Sequence, residues 1–156
     1  MVGTNYELLT NCKFYFEAES ISDKLVLEIS GLSVECPVAG GNKVQGSGKG
    51  GVKLRQATPT YAQGSKVKVK VALTSDMDLY DWYKMCNDNA GGSSNWQIGR
   101  RAASVSAYDQ AGSMQARWEL VKAYPYKYEG PIFKSEDEEL ANETIHLVHQ
   151  GLKRVQ

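Results

Sequence analysis

Ser65-Lys66-Val67-Lys68-Val69-Lys70-Val71-Ala72-Leu73 alternates without a break. In an extended chain successive side chains point to opposite faces, so Val67, Val69, Val71 and Leu73 share one side and Lys66, Lys68 and Lys70 the other. One face is core and the other is wet, as in an antiparallel sheet with a solvated side. Upstream, Cys12 to Glu19 alternates Cys12, Phe14 and Phe16 against Lys13, Tyr15 and Glu17. Lys24 to Ser30 places Leu25, Leu27 and Ile29 on one side, and Gly31 allows a turn into Ser33 to Val38. Downstream, strands are expected over Arg100 to Tyr108, Ser113 to Tyr124 and Glu143 to His149, with Asp109 to Gly112 as a hairpin turn. Met114, Ala116, Trp118 and Leu120 fall on a single face of the second of these.

One segment departs from period two. Asp76 to Asn87 carries Leu79, Trp82, Tyr83 and Cys86 at helical spacing, with Thr74 and Ser75 as candidate caps, Asp76 and Asp78 in the first turn, and Gly91-Gly92 as the stop. The expectation is a mainly β fold: a single β-barrel-like domain of antiparallel strands over 1–156, with one flanking α-helix at about 76–88 and a long Gly-rich loop at about 40–53. Val67, Val69, Val71, Leu79, Trp82 and Trp118 are the expected structural core.

The chain has 156 residues, enough for one core that buries about 70% of the unfolded surface. Lysines and arginines balance aspartates and glutamates at 18 each, which gives no global attraction for polyanions. The distribution is uneven, however. From Cys36 through Ser75 there is no acidic residue, while Lys43, Lys49, Lys53, Arg55, Lys66, Lys68 and Lys70 all fall there. The acidic run Glu136, Asp137, Glu138 and Glu139 lies elsewhere, so these are either two solvated loops or opposite patches through which one copy attracts another. Cys12, Cys36 and Cys86 form no CxxC and are read as reduced intracellular thiols. Neither a secretion signal peptide nor an apolar run of membrane-spanning length is expected.

No chemical signature survives weighing. Gly46 to Gly51 satisfies GxGxxG formally, but the sequence continues as an extended run toward Pro59 rather than opening a helix. Lys43 and Gly50 occupy positions where a P-loop needs Gly and Ser or Thr. His146 and His149 project to opposite faces of a strand, and no GxSxG or HExxH occurs. No catalytic residue, cofactor or metal is therefore expected. Trp82, Tyr83, Trp96, Trp118, Tyr124, Tyr126 and Tyr128 are core residues or, beside the lysines, stacking platforms for bases. The stretch Tyr124 to Pro131, with two prolines and a glycine, reads as an exposed edge or a barrel corner.

Several short stretches, in order, resemble the tube proteins of contractile phage tails and contractile injection systems, the phage tail tube and haemolysin-coregulated-protein-like family. They are Gly31-Leu32-Ser33 with Glu35, then Gly40-Gly41-Asn42; Leu79-Tyr80-Asp81-Trp82; Ala123-Tyr124-Pro125 with Lys127 and Gly130-Pro131; and Asn142-Glu143 through His149-Gln150-Gly151-Leu152. Leu54-Arg55-Gln56 stands where that family usually has Leu-Pro-Gly. The resemblance implies a structural inner-tube protein that assembles in the cytoplasm into hexameric rings, which stack into a hollow tube. The implied partners are further copies, the sheath, baseplate and tube-initiator proteins, a tip or spike complex, a terminator or cap, and cargo in the lumen. Under it, Gly40, Gly41, Asn42, Lys43, Lys49, Lys53 and Arg55 form a stacking loop, with Glu136 to Glu139 as its candidate acceptor, and Lys66, Lys68 and Lys70 face the lumen. The competing readings are a nucleic-acid-binding barrel that uses the lysine strand, and a small-ligand-binding barrel of lipocalin type.

Overall fold

The Val67–Val71 alternation lies one strand in from the edge of an antiparallel sheet. The computed structural model describes residues 7–39, 46–54, 58–61, 63–64, 66–87 and 96–156. Its strands are β1 (Phe14–Ala18), β2 (Val26–Ser30), β3 (Val34–Glu35), β4 (Val38–Ala39), β5 (Gly46–Ser47), β6 (Lys53–Leu54), β7 (Thr58–Pro59), β8 (Gln63–Gly64), β9 (Val67–Ala72), β10 (Arg101–Tyr108), β11 (Met114–Glu129), β12 (Asn142–Val148) and β13 (Gly151–Arg154). The helices are α1 (Asp78–Asn87) and α2 (Trp96–Gly99). The main sheet runs β1-β10-β11-β12-β9-β2, with β13 also on β11. Among the described residues β1 and β2 end this order without pairing, so the barrel is open between them.

The long strand β11 belongs to both halves of the barrel. Its first half lies between β10 and β13, and its second half pairs with β12. Lys122, at φ 50, sits at the corner, opposite the interruption at His149 and Gln150 that separates β12 from β13. The strand expected to end at Tyr124 thus continues through Pro125 to Glu129. Proline is tolerated because the ladder to β12 slips between Pro125 and Lys127, a bulge where regular pairing is already interrupted, and the Pro125 carbonyl accepts from Asn87 Nδ2 at 2.7 Å. The Tyr124–Pro131 stretch is therefore largely sheet rather than an exposed edge, with Pro125 fully buried.

Inward-facing residues form continuous rows across strands, such as Ile29, Val69, Ile145 and Tyr128. Val67, Val69, Val71, Leu79 and Trp82 are buried with Phe16, Leu120 and Leu147, whereas Trp118 is half-buried against the same cluster. The β2 expectation fails in phase: Leu25 and Leu27 are exposed, and Val26 packs on the core beside Ile29. The ladder slips by one residue between Val26 and Glu28, and a bulge of this kind breaks the alternation.

Helix α1 starts later than expected because Asp76, rather than Thr74 or Ser75, caps it. Its Oδ1 accepts from the Asp78 N–H at 3.0 Å, while Thr74 Oγ1 accepts from the Asp76 N–H. Lys24 pairs with Asp76 and Asp78, tying the helix start to the segment that leads into β2. Burial alone would lower the Lys24 ammonium, but these partners outweigh it and raise it, and the bond from Lys24 lowers the Asp76 carboxyl. From the middle of α1, Trp82 Nε1 donates to the Gly99 carbonyl at 2.7 Å, which docks α2, a helix the periodicity did not announce. The Asp109–Gly112 turn forms as expected, with the Asp109 carboxylate accepting from the Ser113 N–H and held below its ordinary range by that bond.

Candidate assembly surfaces

The described strands between Val34 and Gly64 form a series of short antiparallel ladders, an arm on the body. β3 pairs with β8, β4 with β7 and β5 with β6, each over only two residues per strand. Glycine is required at the tip, where Gly50 and Gly51 turn at φ 79 and 75 and the Gly48 N–H donates to the Val52 carbonyl at 2.6 Å. The stretch expected as a loop thus carries strand structure at its end. Lys49 and Lys53 flank this tip, while Gly40, Gly41, Asn42, Lys43 and Arg55 lie outside the described residues. Val34, Val38, Val52 and Tyr61 stand exposed along the arm. A two-stranded ribbon with its apolar side chains in water is marginal by itself, so the arm has the character of a surface awaiting a partner.

The acidic run lies on the segment between β11 and β12. Glu136, Asp137, Glu138 and Glu139 are exposed, and Asp137 folds the segment by accepting from the Glu139 N–H at 2.9 Å. Ile132, Phe133 and Leu140 are 82, 77 and 75% exposed on the same segment. Sequence reasoning missed these three; the apolar residues bracketing an acidic run, without sheet or helix period, were the available signal. The segment borders a cleft of about 460 Å³ whose lining includes Lys68, Lys70, Asp137 and Glu139. Two groups assigned to separate surfaces thus line one cleft of a single chain.

The family described as T4-like virus tail tube protein gp19 matches residues 10–153. The chain belongs to this tail tube family. Its members are structural tube proteins, not enzymes. The fold is similar to that of a chain in the anti-feeding prophage tube-terminating cap, with TM-score 0.74 and 14% identity over 97% of this chain and 93% of that one. It is also similar to a chain of the extracellular contractile injection system PVC sheath-tube complex in the extended state, with TM-score 0.70 and 15% identity over 94% and 90%. Hcp1 from Flavobacterium johnsoniae gives TM-score 0.60 and 16% identity over 92% and 94%. A comparison with curated protein sequences finds no significant match.

In this tail tube protein the lysine strand is not a bare cationic strip. Cross-strand pairing sets Glu28, Lys70, Thr144 and Glu129 in one outward row and Ser30, Lys68, His146 and Lys127 in the next. Lys127 Nζ lies 2.7 Å from Glu129, which holds the lysine above and the glutamate below their ordinary ranges. His146 Nε2 is 3.4 Å from the same carboxylate, and Lys66 Nζ sits 4.7 Å over the Tyr126 ring. Interleaved acids weaken the field a polyanion would need. The barrel interior is likewise filled by Val67, Val69, Leu120, Ile145 and Leu147 rather than hollow, which disfavours the small-ligand reading. His146 lies on the outward face of β12 and His149 in the interruption before β13, and no three potential metal-binding side chains gather among the described residues. Cys12 and Cys36 are exposed and Cys86 is buried, its thiol pushed up by burial. No helix among the described residues is long and apolar enough to cross a membrane.

Proposed function

We propose that this tail tube protein is an inner-tube subunit of a contractile particle, a phage tail or an injection system, whose hexameric rings stack into a hollow conduit for effector or DNA. The observation that carries the reading is the exposed arm at 34–64 on a body of tail tube fold: a two-residue-per-rung ribbon with apolar and lysine side chains in water needs a neighbouring surface. Lys49 and Lys53, with the Gly40–Lys43 stretch and Arg55, meet the segment that carries Ile132, Phe133 and Glu136 to Glu139 of the adjacent ring. Apolar residues there supply contact area and the opposite charges set register. Lys66, Lys68 and Lys70 belong to the face that lines the lumen. The similar chains come from a sheath-tube complex, a baseplate and a terminating cap, which supports a sheath, a baseplate with tube initiator, a tip or spike and a terminator as partners. Assembly takes place in the cytoplasm before the tube joins the particle.

The test is assembly itself. Concentrated purified protein is expected to sediment as concentration-dependent oligomers and to show rings and tubes in negative-stain micrographs. A strictly monomeric species, even with its assembly partners present, overturns the reading.

A further inference from the structure

The arm joins the body at two glycines, and each is pressed against something that leaves no room for a side chain. Gly31, at φ 89, turns the chain out of β2, and a Cβ there would run into the Lys66 carbonyl, 3.1 Å from its carbon. Gly64, the last residue of the returning strand β8, lies under the imidazole of His149: a Cβ there would stand 2.9 Å from Nε2 and 3.1 Å from Nδ1, and closer still to the carbon between them. The two contacts differ in kind. Lys66 presents rigid backbone, whereas His149 presents a side chain on a defined support. His149 sits where β12 breaks before β13, and the next residue anchors that break, the Gln150 N–H donating to the Val121 carbonyl at 2.8 Å. This is the corner at which β11 turns through Lys122 from one half of the barrel to the other.

We propose that Gly64 and His149 form the stop that sets the angle at which the arm leaves the body, and with it the reach of the arm toward its partner. Because β8 is hydrogen-bonded to β3, displacement of Gly64 carries both strands of the arm, and a displacement at the base is multiplied along the hairpin. Gly64 pairs with Val34 at the base of the arm, so it is a positioning residue rather than a contact residue. The proposal rests on the assembly reading only for its consequence; the angle itself is a property of the single chain.

The experiment places spin labels at Ser47 on the arm and Gln110 on the body, in a background with Cys12 and Cys36 changed to serine, and measures their distance distribution by double electron–electron resonance. Gly64→Ala is expected to shift the mean distance, since the new methyl must push the arm off the ring. Gly64→Ala with His149→Ala, which removes the obstacle, is expected to restore it. His149→Ala alone is expected to broaden the distribution by freeing the arm, and it keeps the test alive should Gly64→Ala fail to fold. In the unlabelled protein, Gly64→Ala should lose tubes and the double variant recover them. An unchanged distribution in both single variants, or a Gly64→Ala shift that the second substitution does not reverse, overturns the proposal. Wild-type protein that forms no tubes counts against the assembly reading alone, because the distances are read on the monomer.

Discussion

Val69 and Val38 are both strand valines, yet Val69 is fully buried while Val38 is 52% exposed. Val69 is flanked by paired strands on both sides and shares its face with Ile29 and Ile145; Val38 belongs to a two-residue ladder with only Pro59 opposite. The same residue type in the same secondary structure thus serves two ends. In the body, apolar burial pays the conformational entropy of folding within one chain. In the arm the apolar side chains stay in water in the single chain, and they are the surface that the proposed assembly would cover.

The largest effect expected from breaking the body is at Trp82. Its ring is buried between α1 and the sheet and its Nε1 is bonded to Gly99, so Trp82→Ala should cost about 3–5 kcal/mol. Urea unfolding measures it; a loss below that of an exposed arm residue such as Tyr61→Ala would erase the distinction between the regions. Trp118→Ala should cost less, about 1–2 kcal/mol, because the ring is only half-buried at a groove of about 490 Å³ between β1 and β2, with the Arg154 guanidinium 5.5 Å from its centroid. Equal costs for the two tryptophans would mean that the open seam of the barrel closes in solution.

How much of this was legible follows the same division. β9 and α1 could be read from sequence because each buries one face by its own period, undisturbed from end to end. β2 could not, because the bulge after Val26 exchanges the roles of Leu27 and Val26 and leaves no trace in residue type. The passage of β11 through Pro125 was hidden because the bulge that accommodates it is set by pairing with β12, remote in sequence, not by the local stretch. The arm was legible as a charged, glycine-rich segment at the correct place, but its ladders were not, since two residues are too few to display an alternation. Of the candidate surfaces, the charges were visible; that Lys68, Lys70, Asp137 and Glu139 line one cleft required the tertiary fold.

A subtler probe of the body is alkaline pH. The Tyr128 hydroxyl donates to Glu143 Oε2 at 2.6 Å, and Tyr80 and Tyr83 of α1 pack against its ring. Burial first, and then the bond to Glu143, push the phenol up to about 12. The folded state therefore holds this proton more tightly than the unfolded chain, whose phenol titrates near its ordinary value of about 10. The contribution is complete below pH of about 10 and is lost as pH rises toward about 12, because between the two values the folded form binds more protons. Tyr128→Phe should flatten that part of the stability profile. An unchanged alkaline unfolding midpoint would show that Tyr128 and Glu143 do not clamp α1 to the sheet.

The smallest expected effect on stability is also the most informative about the arm. Lys49→Glu with Lys53→Glu alters two exposed side chains at the tip, so the unfolding free energy should move by no more than about 0.5 kcal/mol. Individual surface ion pairs are worth only about 0–1 kcal/mol and are screened within about 8 Å at physiological salt, so either change alone should do little to assembly as well. The pair together reverses the sign of the tip in a region that otherwise has no acid, and like charges brought face to face at every repeat of a stacked assembly accumulate. Tube length in micrographs should fall sharply while circular dichroism and single rings persist. Reversing the opposing charges, Asp137→Lys with Glu139→Lys, in the same chain should restore growth if the acidic segment is the acceptor. Full-length tubes from the folded double variant would remove the electrostatic role of the tip and leave its apolar residues, Val52 above all, as what holds one ring to the next.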